Sequence, residues 1–100
     1  MKKRFLKSKP VCKVTFELPA QVATGAAKVT LVGDFNGWDR VATPLKRQKD
    51  GAYRLILDLP CDREYQLRYL IDDDRWENDW EADNYLPNPA GDSENSVVVT

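Results

Sequence analysis

Three tryptophans stand where strand-like alternation does not bury them, each among polar turn formers. Trp38 closes the run Gly33-Asp34-Phe35-Asn36-Gly37-Trp38-Asp39, Trp76 lies just past Asp72-Asp73-Asp74-Arg75, and Trp80 follows in Asn78-Asp79-Trp80-Glu81. One such indole usually caps the end of a core, because tryptophan is highly buried on average. Two or three of them in loops, interleaved with Asn, Asp and Arg, point instead to a binding platform. A sugar suits it: one face of a pyranose is lined by C–H groups and is effectively apolar, while its rim of hydroxyls donates and accepts hydrogen bonds. An indole covers the face, and Arg, Lys and Asn serve the rim. The same rings could stack nucleobases, but that mode needs a basic groove, and the surroundings of Trp76 and Trp80 are acidic.

Other chemistry is poorly supplied. Asp72, Asp73, Asp74, Asp79 and Asp83 offer carboxylates for glycoside hydrolysis, which needs a pair about 5 to 10 Å apart across a bound sugar. A carboxylate cluster in a turn is usually solvated, however, and nothing near it suggests the apolar pocket that raises one member's pKa. No enzyme is expected. Asp72-Asp73-Asp74-Arg75-Trp76-Glu77 lacks the alternating ligands and the sixth-position glycine of an EF-hand loop. The chain has no histidine, which removes every histidine-based catalytic arrangement, and Cys12 and Cys61 lack zinc-ligand spacing. Neither a metal nor a cofactor is expected.

The elements that must position the tryptophans read as short strands. Val11 to Leu18 sets Cys12, Val14, Phe16 and Leu18 on one face and Lys13, Thr15 and Glu17 on the other. Lys28 to Val32 is a β-branched run ended by Gly33. Tyr53, Leu55, Leu57 and Leu59 alternate with polar Arg54 and Asp58, after the hairpin signal Asp50-Gly51. Tyr65, Leu67, Tyr69 and Ile71 form a fourth alternating set, and Asn95 to Thr100 a fifth strand. No apolar stripe of helical period extends over three turns. With 100 residues, 42% of them hydrophobic, the chain holds one modest core. Turn signals every 8 to 12 residues predict an all-β, immunoglobulin-like sandwich of about six to eight antiparallel strands.

Charge is segregated along the chain. Residues 1 to 13 carry six bases and no acid, whereas residues 72 to 94 carry nine acids against Arg75 alone. The basic start reads as a flexible arm over residues 1 to 10, preceding one domain over 11 to 100. A net charge of -1 is a poor footprint for nucleic acid. No run is long and apolar enough for a membrane span, and Met1-Lys2-Lys3-Arg4 is followed by no apolar h-region. A cytoplasmic setting with reduced cysteines is therefore expected.

The ordered set Val29-Thr30-Leu31-Val32-Gly33-Asp34-Phe35-Asn36-Gly37-Trp38-Asp39, Thr43-Pro44-Leu45 and Asp50-Gly51 resembles carbohydrate-binding module family 48. That family includes the early-set domains of isoamylases and glycogen branching enzymes, and the glycogen-binding domain of the AMP-activated protein kinase β subunit. Tyr65-Gln66-Leu67-Arg68-Tyr69-Leu70-Ile71-Asp72, then Trp76, Asn78-Asp79 and Glu94-Asn95-Ser96-Val97-Val98-Val99, continue the resemblance, which spans about residues 12 to 100.

The resemblance implies a non-catalytic sandwich that binds α-1,4-glucans such as glycogen, starch or maltooligosaccharides. In kinase-type members two tryptophans stack on glucose, a lysine and an asparagine bond hydroxyls, and a leucine enters the curve of the glucan. Trp38 and Trp76 match the tryptophans, Arg68 stands at the lysine, and Asn95 matches the asparagine. Asn36 and Trp80 are secondary candidates. The leucine has no counterpart in Ala90-Gly91-Asp92-Ser93, and Asp79-Trp80 stands where the family often reads Asp-Pro. Members attached to branching and debranching enzymes imply an alternative, a structural or protein-interaction module acting in trans with a glycogen-metabolising enzyme or kinase.

Overall fold

The computed structural model describes residues 1–89 and 93–100. Among these residues the chain forms nine strands: β1 (Lys2–Phe5), β2 (Val11–Leu18), β3 (Val29–Gly33), β4 (Lys46–Arg47), β5 (Tyr53–Pro60), β6 (Glu64–Ile71), β7 (Arg75–Glu77), β8 (Asn84–Pro87) and β9 (Glu94–Val99). They make two antiparallel sheets, β1-β2-β5-β4 and β3-β6-β9-β8, with β7 also paired to β6. This is the expected all-β sandwich. It has more strands than expected because β4 and β7 are too short to show an alternation, and β1 and β8 carry none that separates core from solvent.

Where the alternation is clean, burial follows it. Cys12, Val14, Phe16 and Leu18 face inward on β2, opposite Leu59, Leu57, Leu55 and Tyr53 on β5. The other sheet returns Val29, Leu31, Leu67, Tyr69, Ile71 and Val98 to the same core. The Asp50-Gly51 turn forms as expected, with Gly51 in the left-handed region at φ 89° and the Ala52 amide donating to Asp50 Oδ1 at 3.0 Å.

The second sheet differs from the first in having both faces covered. On its outer face Thr30, Val32, Leu70, Asn95 and Val97 are all buried. Three of these are apolar yet stand outside the central core cluster. Sheets covered on both sides show apolar runs rather than alternation, which accounts for the unbroken Val29 to Val32 stretch. One cover is the segment after β3, which folds back along that strand: Leu31 donates its amide to the Thr43 carbonyl and Leu45 donates to that of Val29, each at 2.8 Å.

Part of the basic start is built into the first sheet. Lys2–Phe5 pair with Cys12–Thr15 as β1, and the basic start meets part of the acidic stretch. The Met1 amino group lies 3.1 Å from Glu81, and Lys3 Nζ lies 2.5 Å from Asp83. Segregated charges in the sequence thus become neighbours in space. Asp83 Oδ2 also accepts the Val99 amide at 2.7 Å, so one carboxylate joins the start of the chain, the segment before β8, and β9.

Burial alone would raise the pKa of Asp83, but the Lys3 ammonium and the Val99 amide outweigh it and hold the carboxyl below its ordinary value. A depressed folded-state pKa means that its stabilising effect is present above the unfolded-state value, about 4, and disappears as pH falls through the folded value. Asp83→Asn should lower the melting temperature at pH 7 and flatten its decline between about pH 5 and pH 2. Thermal melts across that range check this; an equally steep acid decline in the variant would show that Asp83 does not contribute.

Candidate functional site

Strand β6 organises the outer face of the second sheet. One of its edges pairs with β3 from Leu67 to Ile71. The other pairs with β9 from Glu64 to Leu67 and then with β7 from Tyr69 to Ile71. Arg68 is the residue at which that edge passes from one partner to the next. Register puts Val32 opposite Arg68 and Trp76 opposite Leu70. Because side chains alternate along a strand, Gln66, Arg68, Leu70, Val32, Trp76 and Asn95 share the outer face.

The turn after β3 delivers Trp38 to this face. At Gly33 the β3 and β6 backbones come so close that an added Cβ would lie 2.4 Å from the Gln66 carbonyl oxygen and 2.6 Å from Leu67 Cβ. Only glycine fits there. A single 3-10 turn, Asp34–Asn36, follows, and then Gly37 and Trp38 both adopt left-handed backbone at φ 67° and 60°. For a bulky side chain that conformation costs about 1–3 kcal/mol and persists only where surrounding bonds enforce it. Trp38 has two such bonds: its amide donates to the Gly33 carbonyl at 2.9 Å and its indole Nε1 to Asp34 Oδ1 at 3.0 Å. The second oxygen of Asp34 accepts the Gln66 amide at 2.8 Å, which fastens the tryptophan clamp to β6.

Two neighbouring hollows result, of about 320 and 280 Å³. Val32, Trp38, Arg40, Arg68, Trp76, Asn88 and Ser93 line the first. Asp34, Trp38, Gln66, Asn88, Pro89 and Asn95 line the second. Trp38 and Asn88 belong to both, so the hollows run together as one groove with an indole at its middle. Both tryptophans are half-buried. The guanidinium carbons of Arg40 and Arg68 lie 5.3 and 5.4 Å from the Trp76 ring centroid, within cation–π range. Arg68 Nη1 donates to Ser93 Oγ at 3.2 Å, while its buried Nε has no hydrogen-bond partner among the described residues. Such an unmet donor costs about 1–3 kcal/mol.

Four of the residues singled out from the sequence therefore meet in this groove: Trp38, Arg68, Trp76 and Asn95. Asn95 is 2% exposed and already bonded, donating to Gln66 Oε1 at 3.1 Å and accepting from Asn88 at 3.0 Å. It fixes the groove wall from below. Asn36 is a loop-holding residue. Its Oδ1 accepts from Gly33, and its Nδ2 reaches Leu31, Asp39 and Thr43, so both ends of the amide are engaged within the loop. Trp80 is 56% exposed and is absent from the lining of both hollows. Ala90, Gly91 and Asp92, in the stretch where the resemblance asks for a leucine, lie outside the described residues.

Asp34, Arg40 and Asn88 were missed by sequence reasoning. Asp34 carried a weak signal, an acid four residues before Trp38 within one turn. Arg40 carried none, since only the return of residues 39 to 45 along β3, where Thr30 Oγ1 donates to the Arg40 carbonyl at 3.1 Å, brings it to Trp76.

Most of the carboxylates weighed for catalysis hold structure instead. Asp72 accepts the Ala27 and Lys28 amides at 2.8 and 2.9 Å, which lower its pKa. Asp73 pairs with Lys28 at 2.6 Å. Asp79 is buried, accepts from the Tyr69 hydroxyl at 2.7 Å, and donates its amide to Ser96 Oγ at 2.8 Å. Burial, reinforced by that carboxylate, pushes the Tyr69 phenol well above its ordinary range.

A β-sandwich whose outer sheet face carries a shallow groove with two half-buried indoles, polar donors and amides has the build of a carbohydrate-binding module. The chain belongs to the carbohydrate-binding module 48 family (isoamylase N-terminal domain), whose family model matches residues 12–86. The match takes in Trp38, Arg68 and Trp76 but stops short of Asn95. No curated protein sequence matches the chain significantly. The module is thus one that binds carbohydrate rather than one that transforms it.

Asp34→Ala removes both the indole clamp and the Gln66 acceptor. It should cost about 1–2 kcal/mol of stability and make tryptophan fluorescence more accessible to acrylamide; unchanged quenching would show that Trp38 is held by other contacts. Gly33→Ala should destabilise by about 1–3 kcal/mol through overpacking, measured by urea unfolding.

Proposed function

We propose that the groove binds α-1,4-linked glucan, with Trp38 and Trp76 covering the apolar faces of glucose units and Arg68 bonding hydroxyls. The observation that carries this reading is the convergence of two tryptophans 38 residues apart in sequence on one groove with Arg68 and Asn88. The Trp38 indole N–H is engaged by Asp34, so its flat face rather than its edge is offered to a ligand. A hexose laid on Trp76 displaces a guanidinium that lies over that ring, and the donors so released suit hydroxyl oxygens. A regular α-1,4-glucan curves, and a groove with an indole at its middle favours contact with more than one unit. The chain itself performs no reaction in this reading; it serves glycogen- or starch-metabolising machinery by holding the polymer.

Each stack buries roughly 50 to 100 Å² of apolar area, which at ~25 cal/mol per Å² gives about 1 to 2.5 kcal/mol before ordering costs. Two such stacks together with charge-assisted hydrogen bonds from Arg68, worth about 1.5–3 kcal/mol each, lead to an expected dissociation constant of about 10 μM to 1 mM for maltoheptaose. Titration followed by tryptophan fluorescence tests this. Trp38→Ala and Trp76→Ala should each weaken binding at least about fivefold, with far smaller losses of stability than the roughly 3–5 kcal/mol expected for core Phe16→Ala. A flat titration of the folded wild-type protein would reject the glucan reading and favour a module that binds another protein.

A further inference from the structure

Among the described residues, the first hollow carries positive charge and no negative charge. Arg40 and Arg68 line it, and no carboxylate does among the described residues. Neither arginine forms an ion pair among the described residues, although acids outnumber bases in the chain by 16 to 15. Arg54, by contrast, is paired with Glu17. Asp34 lines only the second hollow, and both of its oxygens already accept hydrogen bonds. Two cations are thus brought to one ring, with no ion-pair partner for either among the described residues.

The donor balance points the same way. A neutral sugar hydroxyl both donates and accepts, whereas guanidinium and indole groups only donate. Among the described residues, the side-chain acceptors in this hollow are Ser93 Oγ, which already takes a bond from Arg68, and the Asn88 amide oxygen. A wall so rich in donors fits a ligand group that is all acceptor. A phosphate monoester is such a group, with three acceptor oxygens and a charge of about -1.5 to -2 at pH 7, which two guanidiniums match.

We propose that this site prefers glucan carrying a phosphate monoester, with Arg40 and Arg68 holding the phosphate beside Trp76 while the tryptophans hold the sugar. The proposal rests on the glucan reading above and adds a substituent to it. Arg40 is the specificity-determining residue, since it brings the second charge. Loss of either arginine leaves a single cation and removes the matched pair.

The experiment is a calorimetric titration of the full chain with soluble amylopectin fragments naturally bearing phosphate, before and after treatment with alkaline phosphatase. Glucose 6-phosphate, inorganic phosphate and α-1,4-linked oligogalacturonate serve as separate arms. At low salt the phosphorylated fragments should bind about tenfold more tightly than the dephosphorylated ones, and the ratio should shrink at high salt. Arg40→Gln and Arg68→Gln should each bring that ratio close to one. Glucose 6-phosphate should bind more weakly than the fragments, and inorganic phosphate more weakly still. Equal affinity for treated and untreated fragments overturns the phosphate preference while leaving glucan binding standing. A ratio that survives Arg40→Gln overturns the role of that residue. Oligogalacturonate binding as tightly as the phosphorylated fragments overturns phosphate as the anion. Absence of binding by every fragment defeats the glucan reading, and the phosphate preference with it.

Discussion

Everything on the functional face depends on one strand exchanging partners. β6 holds β3 along one edge, but along the other it pairs first with β9 and then with β7, and Arg68 falls at the changeover. A strand with one continuous partner would have closed that edge with a flat ladder. Here the break admits the segment after β7, which Asn78 and Asp79 fasten to β9 through Glu94 and Ser96. Trp76 and Asn95 are consequently brought to the two sides of Arg68, although 19 residues separate them in sequence. The opposite bank of the groove depends on the same strand, because the clamp that fixes Trp38 ends on the amide of Gln66.

The sandwich was legible because the long strands of its first sheet are covered on one side and alternate in sequence. β2 shows this best: every second residue from Cys12 to Leu18 is buried, and the strand begins and ends where the pattern does. The illegible elements obey other rules. β1 is held by charge as well as by its ladder, through Lys3 and the Met1 amino group, and charge partners eighty residues away leave no periodic trace. β7 is three residues long and owes its place to the turn before it, where Asp72 and Asp73 take left-handed backbone. Aspartate tolerates that conformation better than most residues.

The site was half legible for a related reason. Aromatic residues outside the alternation stand out in any sequence, so Trp38 and Trp76 could be found without knowing where they meet. Polar residues give no such sign. Asn95 was a primary candidate through the resemblance and Asn36 a secondary one, yet four hydrogen bonds of the Asn36 side chain hold its loop, whereas Asn95 lies under the groove. Trp80 shows the limit of the aromatic signal: it is as conspicuous in sequence as Trp76, but the fixed turn around Asp79 leaves it outside the groove.

Rigidity at the groove has a specific distribution. Trp38 is held in a strained backbone by two bonds and a carboxylate fixed to β6, so its face is set before any ligand arrives. Ordering that side chain on binding therefore costs little, and more of the stacking energy appears as affinity. The arginines are the opposite case. They rest against Trp76 through non-directional cation–π attraction, and Arg68 retains an unmet donor. A ligand oxygen that draws a guanidinium toward itself gives up a weak contact for a stronger charge-assisted one. The groove thus combines a preset apolar surface with an adaptable cationic rim, the combination that the proposed substituted glucan would call on.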